Sequence, residues 1–103
     1  MDFTDKVVLV TGASRGIGAA VARAFAAEGA SVAVNYLQNS EAAETVVAEC
    51  QQSGGDASAF QTDVTDSDAI PPLIENVLET FGKIDVLVNN AFRPYVFDPE
   101  NRK

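Results

Sequence analysis

The feature that most narrows what this chain can fold into is a glycine-spaced loop, Thr11-Gly12-Ala13-Ser14-Arg15-Gly16-Ile17-Gly18. It lies directly behind the apolar run Val7-Val8-Leu9-Val10 and ahead of a helical pattern. A glycine trio alone says little, but between a buried strand and an amphipathic helix each glycine has its own steric duty. Gly12 permits the tight turn out of the strand, Gly16 lets the backbone approach a pyrophosphate, and Gly18 lets the helix pack closely on the sheet. The start of the helix then offers unpaired N–H groups and the positive end of its dipole to phosphate. No Gly-Lys-Ser or Gly-Lys-Thr follows, so this is not a nucleoside-triphosphate loop.

The rest of the chain alternates short β-branched runs with stretches of helical period. Strands are predicted over 7–11, 31–36, 57–61 and 85–89, the first and last nearly continuous in Val and Leu, which implies burial on both faces in a parallel sheet. Ile17, Ala20, Val21, Ala24 and Phe25 form one stripe of a helix over 17–28, with Gly29 as its left-handed stop. A second helix over 40–52 carries Ala43, Val46, Val47 and Cys50 on one face and stops at Gly54-Gly55. A third carries Ile70, Leu73, Ile74, Val77, Leu78 and Phe81 and stops at Gly82. Adjacent Pro71 and Pro72 cannot sit deep in a helix, so a turn near 66–69 should precede regular helix beginning close to them. Right-handed crossovers through three helices give an α/β, Rossmann-like doubly wound parallel sheet of four strands in order 3-2-1-4. The first two helices lie on one face and the third on the other. The pattern is incomplete: residues 1–92 read as a half-domain, and 93–103, with Pro94 and Pro99, as an irregular tail where no fifth strand follows.

Composition removes whole classes of function. The 103 residues contain no His, which excludes a Ser-His-Asp triad, and a single Cys, which excludes an intrachain disulfide or a cysteine-rich zinc site and favours a reducing, cytoplasmic setting. Cys50 reads as a small core residue. A net charge of −8 disfavours nucleic acid and anionic membrane surfaces, and no apolar run is long enough for a signal or spanning segment.

Three ordered motifs at three strand ends carry a family likeness. Thr-Gly-x-x-x-Gly-x-Gly at 11–18, Asp63-Val64 after the third strand and Asn89-Asn90-Ala91 after the fourth resemble the short-chain dehydrogenase/reductase family over nearly the whole chain. Within it, the glycine loop and Val34-Asn35-Tyr36 are most similar to NADP-dependent 3-oxoacyl-acyl-carrier-protein reductases. The resemblance implies that Gly12, Ser14, Arg15, Gly16, Ile17 and Gly18 line the pyrophosphate and the adenosine ribose. It also implies that Asp63 and Val64 meet the adenine, that Asn89 steadies the sheet, and that Asn90 and Ala91 approach the ribose side of the cofactor. Alternatives stay open: Asp63 as a turn aspartate beside a capping Asp66, Asn90 as a turn former, Arg15 as a solvated loop arginine. An acidic residue at the end of strand two would select NAD. Asn35 and Tyr36 stand there instead, and Arg15 can meet a 2′-phosphate, so NADP(H) is the expected cofactor.

The sequence departs from the family in two places. Phe92 replaces the glycine that would follow Asn-Asn-Ala, and no Tyr-x-x-x-Lys is present, since Tyr36 is followed at that spacing by Ser40 and Tyr95 by Pro99. No catalytic residue is assigned and no metal is expected. One expectation is the cofactor-binding half of a carbonyl reductase, inactive alone and either self-associating or completed by a missing C-terminal half. The other is a non-catalytic nucleotide-binding or interaction module.

Overall fold

A computed structural model describes residues 2–90. The elements follow in the order β1 (Val7–Val10), α1 (Gly16–Ala27), β2 (Ser31–Tyr36), α2 (Ser40–Gln52), β3 (Asp56–Gln61), a 3-10 turn (Ser67–Ala69), α3 (Ile70–Phe81) and β4 (Val86–Val88). The strands form one parallel sheet in the order β3-β2-β1-β4, as the alternation predicted. Leu9 pairs with Ala33 on one side and Leu87 on the other, which makes β1 the centre of the sheet.

Alternate residues of β1 feed two separate cores, the direct result of the two-residue strand period. Val8 and Val10 pack with Ala19, Ala22 and Ala26 of α1 and Ala43, Val46 and Cys50 of α2. Val7 and Leu9 face the other way, onto Leu73 and Val77 of α3. Every residue of β1 is therefore buried. The same is not true of β4. Leu87 is 60% exposed, because β4 has β1 as its one sheet neighbour among the described residues and α3 lies over the interior strands. The expectation of a strand buried on both faces thus holds for β1 and fails for β4.

The helices refine the periodic reading. In α1 the buried residues are Gly18, Ala19, Ala22 and Ala26, while Ile17 is 76% exposed and Val21 and Phe25 only flank the core. The stripe inferred from the bulkiest side chains is rotated from the true one. A helix that packs close to a sheet and to a second helix needs small residues at the point of contact. α2 buries Ala43, Val46 and Cys50 as expected, while Val47 is only partly buried against the same core. In α3, Leu78 is 41% exposed, so the apolar stripe is wider than the face that is covered. Asp66 caps the 3-10 turn by accepting from the Asp68 N–H at 3.0 Å, and both prolines fall in the first turn of α3, where no intrahelical donor is lost.

The entry to β4 is pinned by Asp85. Its Oδ2 accepts from the Val7 N–H at 2.8 Å and lies 3.2 Å from Lys83 Nζ, while its own N–H donates to Val7 O at 2.9 Å. The Val7 hydrogen bond, helped by Lys83 and Lys6, holds the carboxyl below the usual aspartate range. A folded-state value below the unfolded one stabilises above the unfolded pKa, and this contribution is lost as pH falls through the folded value. Asp85→Asn keeps an acceptor for Val7 but loses the charge. It should melt earlier than the parent near neutral pH, and the gap should close as pH falls through the folded-state value of Asp85, where the parent carboxyl also becomes neutral. Thermal unfolding of both proteins across that range checks the sign.

Candidate functional site

Past the carboxyl ends of β1, β2 and β3 lies a cleft of about 650 Å³. Its floor is the turn out of β1, where the chain leaves the sheet while still buried and each backbone group needs a partner. The Thr11 N–H donates to Val88 O at 3.0 Å. The Thr11 hydroxyl accepts from the Asn90 N–H at 2.9 Å and sits 3.3 Å from Asn89 Oδ1. Asn90 Nδ2 donates to Gly12 O at 3.1 Å. Asn89 and Asn90 thus bind the end of β4 to the exit of β1.

Gly12 and Gly16 both take left-handed backbone, with φ of 60° and 61°. Around Gly16 a Cβ would meet nothing within 4 Å, so this glycine serves conformation and leaves the space above it open. Gly18 is the opposite case. A Cβ there would lie 2.3 Å from Gly12 O and 2.7 Å from Asn90 Nδ2, so the close approach this glycine allows is to the loop's own carbonyl more than to the sheet. Arg15 is the N-cap residue of α1, exposed, with no side-chain capping bond; among the described residues no carboxylate pairs with it. The first turn of α1 aims its unpaired N–H groups into the cleft from behind Arg15.

Of the residues singled out from sequence, Gly12, Ser14, Arg15, Gly16, Ile17, Asn35, Tyr36, Asp63, Val64 and Asn90 come together around the cleft. Gly18 lies behind this wall, and Ala91 falls outside the described residues, as do Phe92, Tyr95 and the tail 93–103. Asn35 differs from its expected role. It is 1% exposed and its side chain turns inward, accepting from the Gly12 N–H and donating to Phe60 O and Thr62 O. The surface at the end of β2 is formed instead by Tyr36 and by Leu37, Gln38 and Asn39, none of the last three foreseen. Thr62 and Thr65 were missed likewise. Such residues have no periodicity; their one signal is position just beyond a strand's carboxyl end, where an open α/β sheet binds its ligands.

Asp63 has a structural occupation as well as a place in the cleft. Its Oδ1 accepts from the Thr65 N–H at 2.9 Å and from the Thr65 hydroxyl at 2.6 Å, closing the turn that leads to α3. Among the described residues no group of His, Cys, Asp and Glu could hold a metal ion, and no helix is long and apolar enough to cross a membrane. The donor set is that of an anion-and-nucleotide cleft: a helix N-terminus, an arginine beside it, a bare glycine surface and a carboxylate on the far wall.

Residues 6–97 match the family model described as short chain dehydrogenase. The chain is 56% identical over 89 residues to a 3-oxoacyl-[acyl-carrier-protein] reductase of Synechocystis, covering 86% of this chain and 36% of that protein. It is 51% identical over 86 residues to the versicolorin reductase of Emericella nidulans, covering 84% and 33%. Among solved structures, a short chain dehydrogenase from Burkholderia cenocepacia in complex with NADP superposes with a TM-score of 0.88 at 41% identity, over 100% of this chain and 42% of that one. The chain spans about a third of the length of the curated relatives it matches.

The two glycines at the cleft are separable by experiment. Gly18→Ala must push a methyl group against backbone at 2.3 Å. It should cost roughly 1–3 kcal/mol despite the better helix propensity of alanine. Gly16→Ala meets no atoms and pays only the left-handed backbone, about 1 kcal/mol. Denaturant titrations should show the larger loss of midpoint for the Gly18 variant.

Proposed function

The chain belongs to the short-chain dehydrogenase family, and on that premise we propose that it binds NADP(H) in the cleft and forms the cofactor-binding part of a carbonyl reductase acting on 3-oxoacyl-type substrates. The observation that carries the cofactor choice is the wall around the adenosine end: Arg15 stands beside it and no carboxylate stands at the end of β2, where Asn35 points inward and Tyr36 lines the cleft. A guanidinium with no carboxylate partner among the described residues suits a 2′-phosphate, and nothing at Tyr36 repels one. NADP in the Burkholderia relative supports this reading.

In this proposal residues 1–92 act as one cofactor-binding unit. The N–H groups of Ser14, Arg15, Gly16 and Ile17, which line the cleft, face the pyrophosphate, since those of Gly12 and Ala13 are already paired with Asn35, and Gly18 serves from behind by letting the helix start close to Gly12. Asp63 accepts from the adenine amine while the Val64 N–H serves a ring nitrogen, and Asn90 and Ala91 approach the ribose side of the cofactor. When bound, the nicotinamide supplies hydride to the carbonyl carbon. Proton donation at the carbonyl oxygen has no provider within the sequence, which holds no His and no Tyr-x-x-x-Lys, so no catalytic residue is assigned to this chain. The 3-oxoacyl preference rests on the Synechocystis relative. The single Cys50, buried and with its thiol pushed up by burial, suits a cytoplasmic setting. Among the described residues no strand pairs with the outer edge of β4 and Leu87 is exposed, and this is the surface through which the chain would self-associate or meet a C-terminal half.

Titration of the purified chain with NADPH and NADH tests the assignment. NADPH should bind more tightly, and Arg15→Ala should remove a charge-assisted contact worth about 1.5–3 kcal/mol from NADPH while leaving NADH nearly untouched. Equal losses for both cofactors would take Arg15 off the 2′-phosphate.

A further inference from the structure

Asn35 is a buried side-chain amide past the carboxyl end of the sheet, with both of its N–H donors and its carbonyl oxygen engaged. Oδ1 accepts from the Gly12 N–H at 3.1 Å, and Nδ2 donates at 3.3 Å to Phe60 O and at 3.2 Å to Thr62 O. Its backbone carbonyl accepts from the Ala13 N–H at 2.8 Å. An asparagine amide has two N–H donors and one acceptor oxygen, so this one residue links the glycine loop to the end of β3 using every donor it owns. The chain beyond Phe60 and Thr62 leads directly to Asp63 and Val64, on the opposite wall of the cleft.

We propose that Asn35 is a positioning residue which holds the glycine loop and the β3 end as one rigid unit, and that it takes no part in choosing between cofactors. This rests on the cofactor reading above only where binding is measured. Both positions border the cleft, and burial separates them: Tyr36 is partly exposed, whereas Asn35 is 1% exposed and its side chain is taken up by Gly12, Phe60 and Thr62. An acid introduced at 35 would therefore not reach a ribose. It would bring a carboxylate, which accepts only, against the two carbonyls of Phe60 and Thr62. The loop would lose its anchor, and every ligand that needs the loop's shape would suffer alike.

The test has two arms. In the ligand-free wild-type chain, site-resolved amide hydrogen exchange should find Gly12 and Ala13 protected, and NADPH should add protection from Ser14 to Ile17 while leaving those two unchanged. In Asn35→Asp and Asn35→Ala, Gly12 should exchange faster while the amides of α2 keep their protection. Affinity for NADPH and NADH should fall by the same factor, about tenfold or more. A shift of preference toward NADH in Asn35→Asp would overturn the proposal by making the residue a selector. So would a rapidly exchanging Gly12 in the wild type, or protection lost from α2 together with Gly12, which marks a merely structural residue. Should the wild-type chain bind neither cofactor, the cofactor reading fails, and the ligand-free exchange pattern still decides the role of Asn35.

Discussion

The chain must leave β1 while still inside the protein, and much else follows from that. A strand buried on both faces and flanked on both edges has no water at its exit, so Thr11, Gly12 and Ala13 have to find partners within the fold. They find them in the two neighbouring strands: Thr11 on β4, through Val88 and Asn90, and Gly12 and Ala13 on β2, through Asn35. With these groups satisfied internally, the next N–H groups along the loop are left to face the cleft. The glycines make this path sterically possible, and the polar side chains at the neighbouring strand ends make it energetically tolerable.

Most of the architecture was legible because it depends on patterns local to the sequence. Val7 to Val10, the three-four spacing of α2 and the position of Pro71 and Pro72 each state their structure within a few residues. The parallel order then follows from chain-crossing rules. What stayed hidden depends on distance or on packing partners. The buried face of α1 could not be found from the bulk of its side chains, because contact with the sheet selects Ala19, Ala22 and Ala26 for smallness. The exposure of Leu87 depends on what lies over β4, which its own Val-Leu-Val run does not encode.

The candidate site divides in the same way. The glycine loop and Asp63-Val64 stood out because their positions behind strands carry a mechanism. Asn35 was noticed for what it lacks, a negative charge, whereas its hydrogen bonds give it a different part, which only the approach of Gly12, Phe60 and Thr62 reveals. Asp63 takes the turn-closing role that its sequence position left open, and it does so while bordering the cleft. Leu37, Gln38 and Asn39 were invisible as site residues because a loop lining has no repeat to betray it.

The ties between β1 and β4 also set the order in which the molecule can assemble. Asp85 reaches Val7, and Asn90 reaches Gly12, each across 78 positions of chain. Contacts this remote close late, after the β1-α1-β2 unit has formed from nearby residues. On a chain emerging from its N-terminus, the glycine loop is synthesised long before the amide that accompanies its first carbonyl. The glycine loop would therefore be fixed in two stages, first by Asn35 from within the β1-α1-β2 unit and last by Asn90, so an intermediate lacking β4 would hold Gly12 by its N–H and leave its carbonyl without the Asn90 amide.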